Sequence, residues 1–292
     1  MCDLTVREGA RDVRDHDEER DMSLVSATEN GVDLSRPNPA RMYDYYLGGV
    51  HNFAVDRKAA ADVLAILPET RDFALQNRAF LRRVVRYLVR EAGVVQFLDL
   101  GSGIPTVGNV HEIAQDVNPD CRVVYVDHEP VAVAHSRKLL RDNDNAAIVQ
   151  ADIQDTDTVL SHPDTRRLLD FDQPVAVLML QVLPFVPDAD DPGAIIGTYR
   201  SACAPGSFLA LAHSLTPEFW PGAVDQAIEL YRRSTHPLHL RTPEQVEALF
   251  DGYDLVPPGV VFTAAWRPDH PISQQEAISS RAVAGLGRLP LR

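Results

Sequence analysis

Val94-Val95-Gln96-Phe97-Leu98-Asp99-Leu100-Gly101-Ser102-Gly103 is an apolar run that stops at two glycines spaced one residue apart. Its length and composition are those of a buried strand. Glycine at 101 and 103 lets the backbone turn tightly and approach a ligand with no Cβ in the way. In open α/β sheets ligands bind beyond the carboxyl ends of the strands, so this turn marks a candidate crevice.

Working outward, short apolar runs recur at 122–126, 147–150, 175–180 and 207–212. Helix-compatible stretches separate them at about 107–117, 130–141, 157–169 and 191–203. Strands alternating with helices indicate βαβ units and a parallel sheet with right-handed crossovers. Upstream, helical patterns cover about 54–66, ending before Pro68, and about 70–91, ending at Gly93. Downstream, 217–234 and 242–250 read as helices. Tyr253–Val256 and Val260–Trp266 flank Pro257-Pro258-Gly259 as a closing hairpin or hairpin-like bend. The division expected is an acidic disordered tail at 1–33, a helical cap or lid at 34–93, a sheet domain at 94–268 and a C-terminal tail at 269–292.

Two further strands end in acids. Val123-Val124-Tyr125-Val126-Asp127 places a carboxylate 24 residues after Gly103, where it can accept hydrogen bonds from ribose hydroxyls. Ala147-Ile148-Val149-Gln150-Ala151-Asp152-Ile153 repeats the pattern. A dinucleotide fingerprint requires a third glycine three positions after Gly103, where Thr106 stands, which counts against NAD or FAD.

The series D-L-G-S-G, V-Y-V-D and Q-A-D-I resembles the class I S-adenosylmethionine-dependent methyltransferases. The resemblance implies a Rossmann-like α/β fold, with a seven-stranded, mostly parallel sheet containing one antiparallel strand, plus the N-terminal helical cap. It implies S-adenosylmethionine as cofactor. Asp99, Gly101, Ser102 and Gly103 would face its methionyl part, Asp127 with His128 its ribose, and Asp152 with Ile153 its adenine. A narrower resemblance, to an actinobacterial S-adenosyl methyltransferase family formerly of unknown function, rests on R-M-Y-D-Y-Y-L-G-G-V-H-N-F, N-R-A-F-L-R-R, F-L-D-L-G-S-G-I-P-T and L-P-F-V-P-D-A-D-D-P. The chain departs from that family's pattern at Val50-His51 and Pro184. Its use of Arg almost to the exclusion of Lys, which occurs only at 58 and 138, fits a high-GC source.

Several other residues are candidates on their own chemistry. The segment 41–53 packs aromatic and polar residues around two adjacent glycines, which suits a lid over the cofactor; Tyr45, Gly48 and Asn52 would contact it. Arg78 could pair with the methionine carboxylate. Gln181 follows the fourth strand and faces the same crevice. His213 and Tyr43 are the candidate catalytic residues, although displacement at a sulfonium methyl needs a base only when the acceptor has a proton to lose. His111 follows the glycine turn and is as readily structural.

Composition narrows the partners. The net charge is −14, and the first 33 residues, with ten acids and four arginines, contribute −6 of it. The remaining −8 disfavours nucleic acid. The apolar runs are too short to span a membrane and no secretory leader is visible, so a cytoplasmic enzyme acting on a small-molecule acceptor is expected. Cys2, Cys121 and Cys203 form no metal-ligand spacing, and no metal site is expected. The alternative reading is a non-catalytic sensor or partner protein that binds the same cofactor.

Overall fold

The computed structural model describes residues 32–106, 108–220, 222 and 224–291. The expectation of a disordered acidic tail therefore lies almost wholly outside the described residues. Val32, which falls within the expected tail, is buried against Ile104, Val131 and Ala132.

The cap consists of α1 (Pro39–Tyr46), α2 (Ala54–Ile66) and α3 (Thr70–Arg90). Asn38 starts α1 by accepting from the N–H groups of Ala40 and Arg41, with Pro39 at the first helical position. Phe73, Phe80, Leu81, Val84, Val85, Leu88 and Val89 of α3 are buried at helical spacing, and Gly93 follows the helix end at φ +70°.

The sheet begins with β1 (Gln96–Leu100), β2 (Arg122–Asp127), β3 (Ala146–Gln150), β4 (Ala176–Leu180) and β5 (Phe208–Ser214), all parallel. They are followed in the chain by β6 (Asp254–Leu255), β7 (Val261–Phe262) and β8 (Ala282–Arg288), and the spatial order is β3-β2-β1-β4-β5-β8-β6. α4 (Val110–Val117), α5 (Pro130–Leu139), α6 (Thr156–Ser161), α7 (Pro163–Leu168) and α8 (Pro192–Ala202) form the crossovers. The stretch 157–169 is thus two helices rather than one: Pro163 cannot continue α6 and starts α7 instead.

Successive side chains of a strand enter opposite cores. Phe97, Val123 and Tyr125 join α3, α4 and Trp266 on one face. Leu98, Leu100, Val124 and Val126 join α6–α8 on the other. Burial on both faces explains the continuous apolar runs.

The C-terminal half corrects two expectations. β6 and β7 do not form a hairpin with each other; both pair antiparallel with β8, so together they occupy one outer lane. Eight strands therefore fill seven lanes, with β8 the one antiparallel member, as the fold expectation required. β8 lies in the segment read as a C-terminal tail. Gly285 and Gly287 are needed there because the Phe250 and Tyr253 rings occupy the space where their Cβ atoms would sit. Pro217 and the break before α9 (Val224–Arg232) likewise shorten the helix expected at 217–234, and α10 (Pro243–Ala248) and α11 (Gln274–Ser279) complete the chain. Among the described residues, no helix is long and apolar enough to cross a membrane.

Candidate functional site

β1 ends in the glycine turn. Gly101 and Gly103 adopt φ of +71° and +67°, which side chains other than glycine's rarely tolerate. The N–H groups of Gly101 and Ser102 donate to Val126 O at 2.8 and 3.1 Å, so the turn curls over the end of β2. A Cβ on Gly101 would overlap Val182, whereas one on Gly103 would meet only open space.

That open space belongs to a cavity of about 210 Å³ at the carboxyl ends of β1–β5. It brings together Tyr43, Arg78, Asp99, Gly101, Ser102, Gly103, Asp127, His128, Asp152, Ile153 and Gln181. Asp127 is held at both oxygens, accepting from Gly103 N at 2.7 Å and Glu129 N at 2.8 Å. Burial pushes the Asp99 carboxyl up to about 7; the Arg78 guanidinium opposes that rise and the Asp127 charge adds to it. Arg78 also donates to Gly108 O at 2.7 Å, joining α3 to the loop after the glycine turn. Ile153 is buried and its carbonyl accepts from Tyr199 Oη at 2.8 Å.

Tyr45, Gly48 and Asn52 do not line the cavity. The buried Asp44 organises their loop instead, accepting at Oδ2 from His51 N at 2.9 Å and Asn52 Nδ2 at 2.7 Å. Gly48 supplies φ +80°, and a Cβ on Gly49 would overlap the Asp44 carboxylate. The paired glycines therefore serve a turn around Asp44, and only Tyr43 and Tyr46 of this segment's tyrosines reach the cavity.

Both catalytic candidates are hydrogen-bonded within the chain. His213 is fully buried, accepts at Nε2 from Arg241 Nη1 at 2.7 Å and donates from Nδ1 to Ser214 O at 2.8 Å. Burial, with the Arg241 charge, pushes it down to about 3 although the Ser214 bond opposes this, so it is a neutral structural group. Arg241 meanwhile clamps Leu183 O, Val186 O and Asp188, fixing the loop that carries Pro184 and Phe185 onto the cavity wall. The Tyr43 hydroxyl donates to Ala74 O at 3.1 Å and accepts from Asn77 Nδ2 at 3.0 Å. Burial raises its pKa, and its ring lines the cavity wall. His111 is bonded to Tyr125 Oη at 2.7 Å, which confirms its structural character.

The sequence reading missed Asn77 and His236. Asn77 directly precedes Arg78 and is buried, with Oδ1 unpartnered. His236 lies in an irregular segment with no local signal and places its ring 4.7 Å from that of His128.

These features fit S-adenosylmethionine. The wall atoms without a partner among the described residues are Thr70 Oγ1 and, nearer the glycine turn, the three atoms Asn77 Oδ1, Ser102 Oγ and Gln181 Nε2. Buried polar groups are ordinarily paired, so these three call for ligand atoms. The acids after β2 and β3, Asp127 and Asp152, line the same cavity, and Gly103 leaves the turn open.

Comparison with known proteins supports the same cofactor. The S-adenosyl methyltransferase family is matched over residues 26–290. A candidate methyltransferase from Thermobifida fusca is 42% identical, with a TM-score of 0.84 over 89% of this chain and 98% of that one. A protein of the DUF574 family from Streptomyces avermitilis is 35% identical, with a TM-score of 0.83 over 88% of this chain and 99% of that one. No curated protein matches the chain. With the family matched over residues 26–290, the chain belongs to the S-adenosyl methyltransferase family, whose cofactor is S-adenosylmethionine.

Proposed function

We propose that the protein transfers the methyl group of S-adenosylmethionine to a small-molecule acceptor in the cytoplasm. The observation that carries this reading is that the cofactor cleft opens into a second chamber at the ends of β4 and β5, bordered by Gln181 and Ser214 and covered by the cap at 34–93. A protein that only sensed the cofactor would need no such room. When bound, the cofactor supplies a methyl carbon that accepts the acceptor's lone pair while the carbon–sulfur pair stays on sulfur.

In this reading Asp127 holds the ribose, and Ile153 and His128 flank the adenine with Asp152 at its edge. Asp99 and Asn77 receive the methionine ammonium, and Gly103 lets the turn approach. The chain's contribution is alignment and exclusion of water. Where the acceptor carries a proton, it is lost to solvent as the product leaves, because His213 and Tyr43 are both hydrogen-bonded within the chain.

Thermal-shift measurements with S-adenosylmethionine, S-adenosylhomocysteine and NAD test the cofactor assignment, and stabilisation by NAD alone would overturn it. Release of S-adenosylhomocysteine in the presence of cell-extract fractions then separates the enzyme from a cofactor-binding sensor.

A further inference from the structure

The cavity has two halves of opposite chemistry. Among the described residues, every Asp, Glu and Arg on the wall (Arg78, Asp99, Asp127, Glu129 and Asp152) stands around the glycine turn and the acids after β2 and β3. The other half lies between α2, α3 and α9. It is walled by Leu67, Phe73, Trp220, Ile228 and Tyr231, and no charged residue of these helices faces it. Its rings form two pairs, Phe73 and Trp220 with centroids 5.7 Å apart and Phe185 and Tyr231 6.5 Å apart. The ring-borne polar ends of this lining are satisfied internally, while the Thr70 hydroxyl has no partner among the described residues. Tyr46 Oη and Tyr231 Oη share a hydrogen bond of 3.0 Å, and Trp220 Nε1 donates to Leu215 O at 2.9 Å.

The physical consequences narrow the occupant. A charged group in this half would lose its hydration with no counter-ion in reach. An anion would in addition face four carboxylates across the cavity and a single guanidinium already engaged with Gly108. A polyol would leave several hydroxyls unpaired. Ring faces against ring edges at these separations instead favour an aromatic guest.

At the boundary stands Gln181, held at φ +63° with its Oε1 accepting from Ser214 Oγ at 2.7 Å and its Nε2 buried and unpartnered. Non-glycine residues in this backbone region carry strain that the surrounding structure must maintain. The free polar atoms beside the apolar half, Gln181 Nε2 and the Thr70 hydroxyl on α3, can both donate.

We propose that the methyl acceptor is an uncharged aromatic small molecule, its ring seated among Phe73, Trp220 and Tyr231 and its polar atom accepting from Gln181 Nε2. This assignment rests on the methyl-transfer reading above.

The test is calorimetric titration of protein saturated with S-adenosylhomocysteine, using two probes of equal ring size, 1-naphthol and 1-naphthoate. Naphthol is expected to bind at least about tenfold more tightly than naphthoate. Ile228→Trp, which fills the apolar half, is expected to weaken naphthol by about tenfold or more while leaving S-adenosylhomocysteine affinity unchanged. If that variant also loses S-adenosylhomocysteine, Trp220→Leu takes its place, with a several-fold loss of naphthol binding expected. Equal or tighter binding of naphthoate, no binding of naphthol, or indifference to both substitutions overturns the proposal while the methyl-donor reading stands. Failure of wild-type protein to bind S-adenosylhomocysteine at all overturns both.

Discussion

Gly103 donates its backbone N–H to Asp127 Oδ2 at 2.7 Å, so the glycine turn and the acid ending the second strand are one hydrogen-bonded unit. The other oxygen of Asp127 accepts from Glu129 N. The residue proposed to hold the ribose is therefore also the residue that holds the turn in shape.

Asp127→Ala is accordingly expected to do two things. It removes the ribose acceptor, abolishing the thermal shift given by S-adenosylhomocysteine. It also orphans two backbone donors, costing about 1–3 kcal/mol each in urea unfolding. Asp127→Asn keeps an acceptor oxygen and should recover part of both; equal loss in the two variants would contradict this account.

The two glycines separate fold from binding. Gly101→Ala brings a methyl group into Val182 at a positive φ and should destabilise the protein strongly. Gly103→Ala meets no neighbour, so it should cost only about 1–2 kcal/mol for its left-handed backbone while weakening S-adenosylhomocysteine markedly. Calorimetry alongside denaturant unfolding distinguishes the two effects, and unimpaired binding by Gly103→Ala would place the cofactor elsewhere.

Asp99 sets a pH dependence. Its carboxyl sits at about 7 in the folded protein, above its ordinary value of 3.8, so the native state retains a proton that the unfolded chain has released. Its contribution is complete below about pH 4 and is lost as pH rises through 7. The stability of the wild type relative to Asp99→Asn should therefore fall between pH 5 and pH 8. A difference independent of pH in that interval would mean that the carboxyl ionises normally.

A buried ionic network fastens the cap to the sheet. Arg41 Nε meets Asp56 Oδ2 at 2.8 Å and Arg41 Nη1 meets Glu129 Oε1 at 2.9 Å, all three side chains being almost fully buried. Arg41→Met leaves two buried carboxylates without their cation, and a loss of about 3–5 kcal/mol is expected in chemical denaturation. Because Glu129 also bonds to Asp127, S-adenosylhomocysteine affinity should fall with it. Unchanged affinity would show that cap and cofactor floor are mechanically independent.

What the sequence made legible followed from how local each signal was. Strands β1 to β5 are buried on both faces and announce themselves as continuous apolar runs, and the glycine turn with Asp127 and Asp152 is a short motif that needs no tertiary partner to be recognised. β8 escaped because its Ala-Val-Ala-Gly-Leu-Gly composition reflects the Phe250 and Tyr253 rings pressed on it, a constraint from residues more than thirty positions away. The surroundings of His213 were hidden for a similar reason, since burial and Arg241, 28 residues downstream, together set its state. Gly48 and Gly49 looked suited to a ligand, but the group that they accommodate is the neighbouring Asp44. The apolar chamber was invisible because Leu67, Phe73 and Ile228 each read as ordinary helix-core residues.

That last point has an evolutionary side. Tyr46, Val63, Leu67, Phe73, Val224 and Ala227 both line the cavity and form the hydrophobic core of the cap. A substitution that reshapes the chamber for a new guest therefore also removes packing from the fold, at about 2–5 kcal/mol for a large-to-small change. Against a total stability of about 5–15 kcal/mol, drift in acceptor preference is constrained by foldability as well as by chemistry. Relatives that have changed guest should carry compensating changes on α2 and α9, on the sides facing away from the chamber.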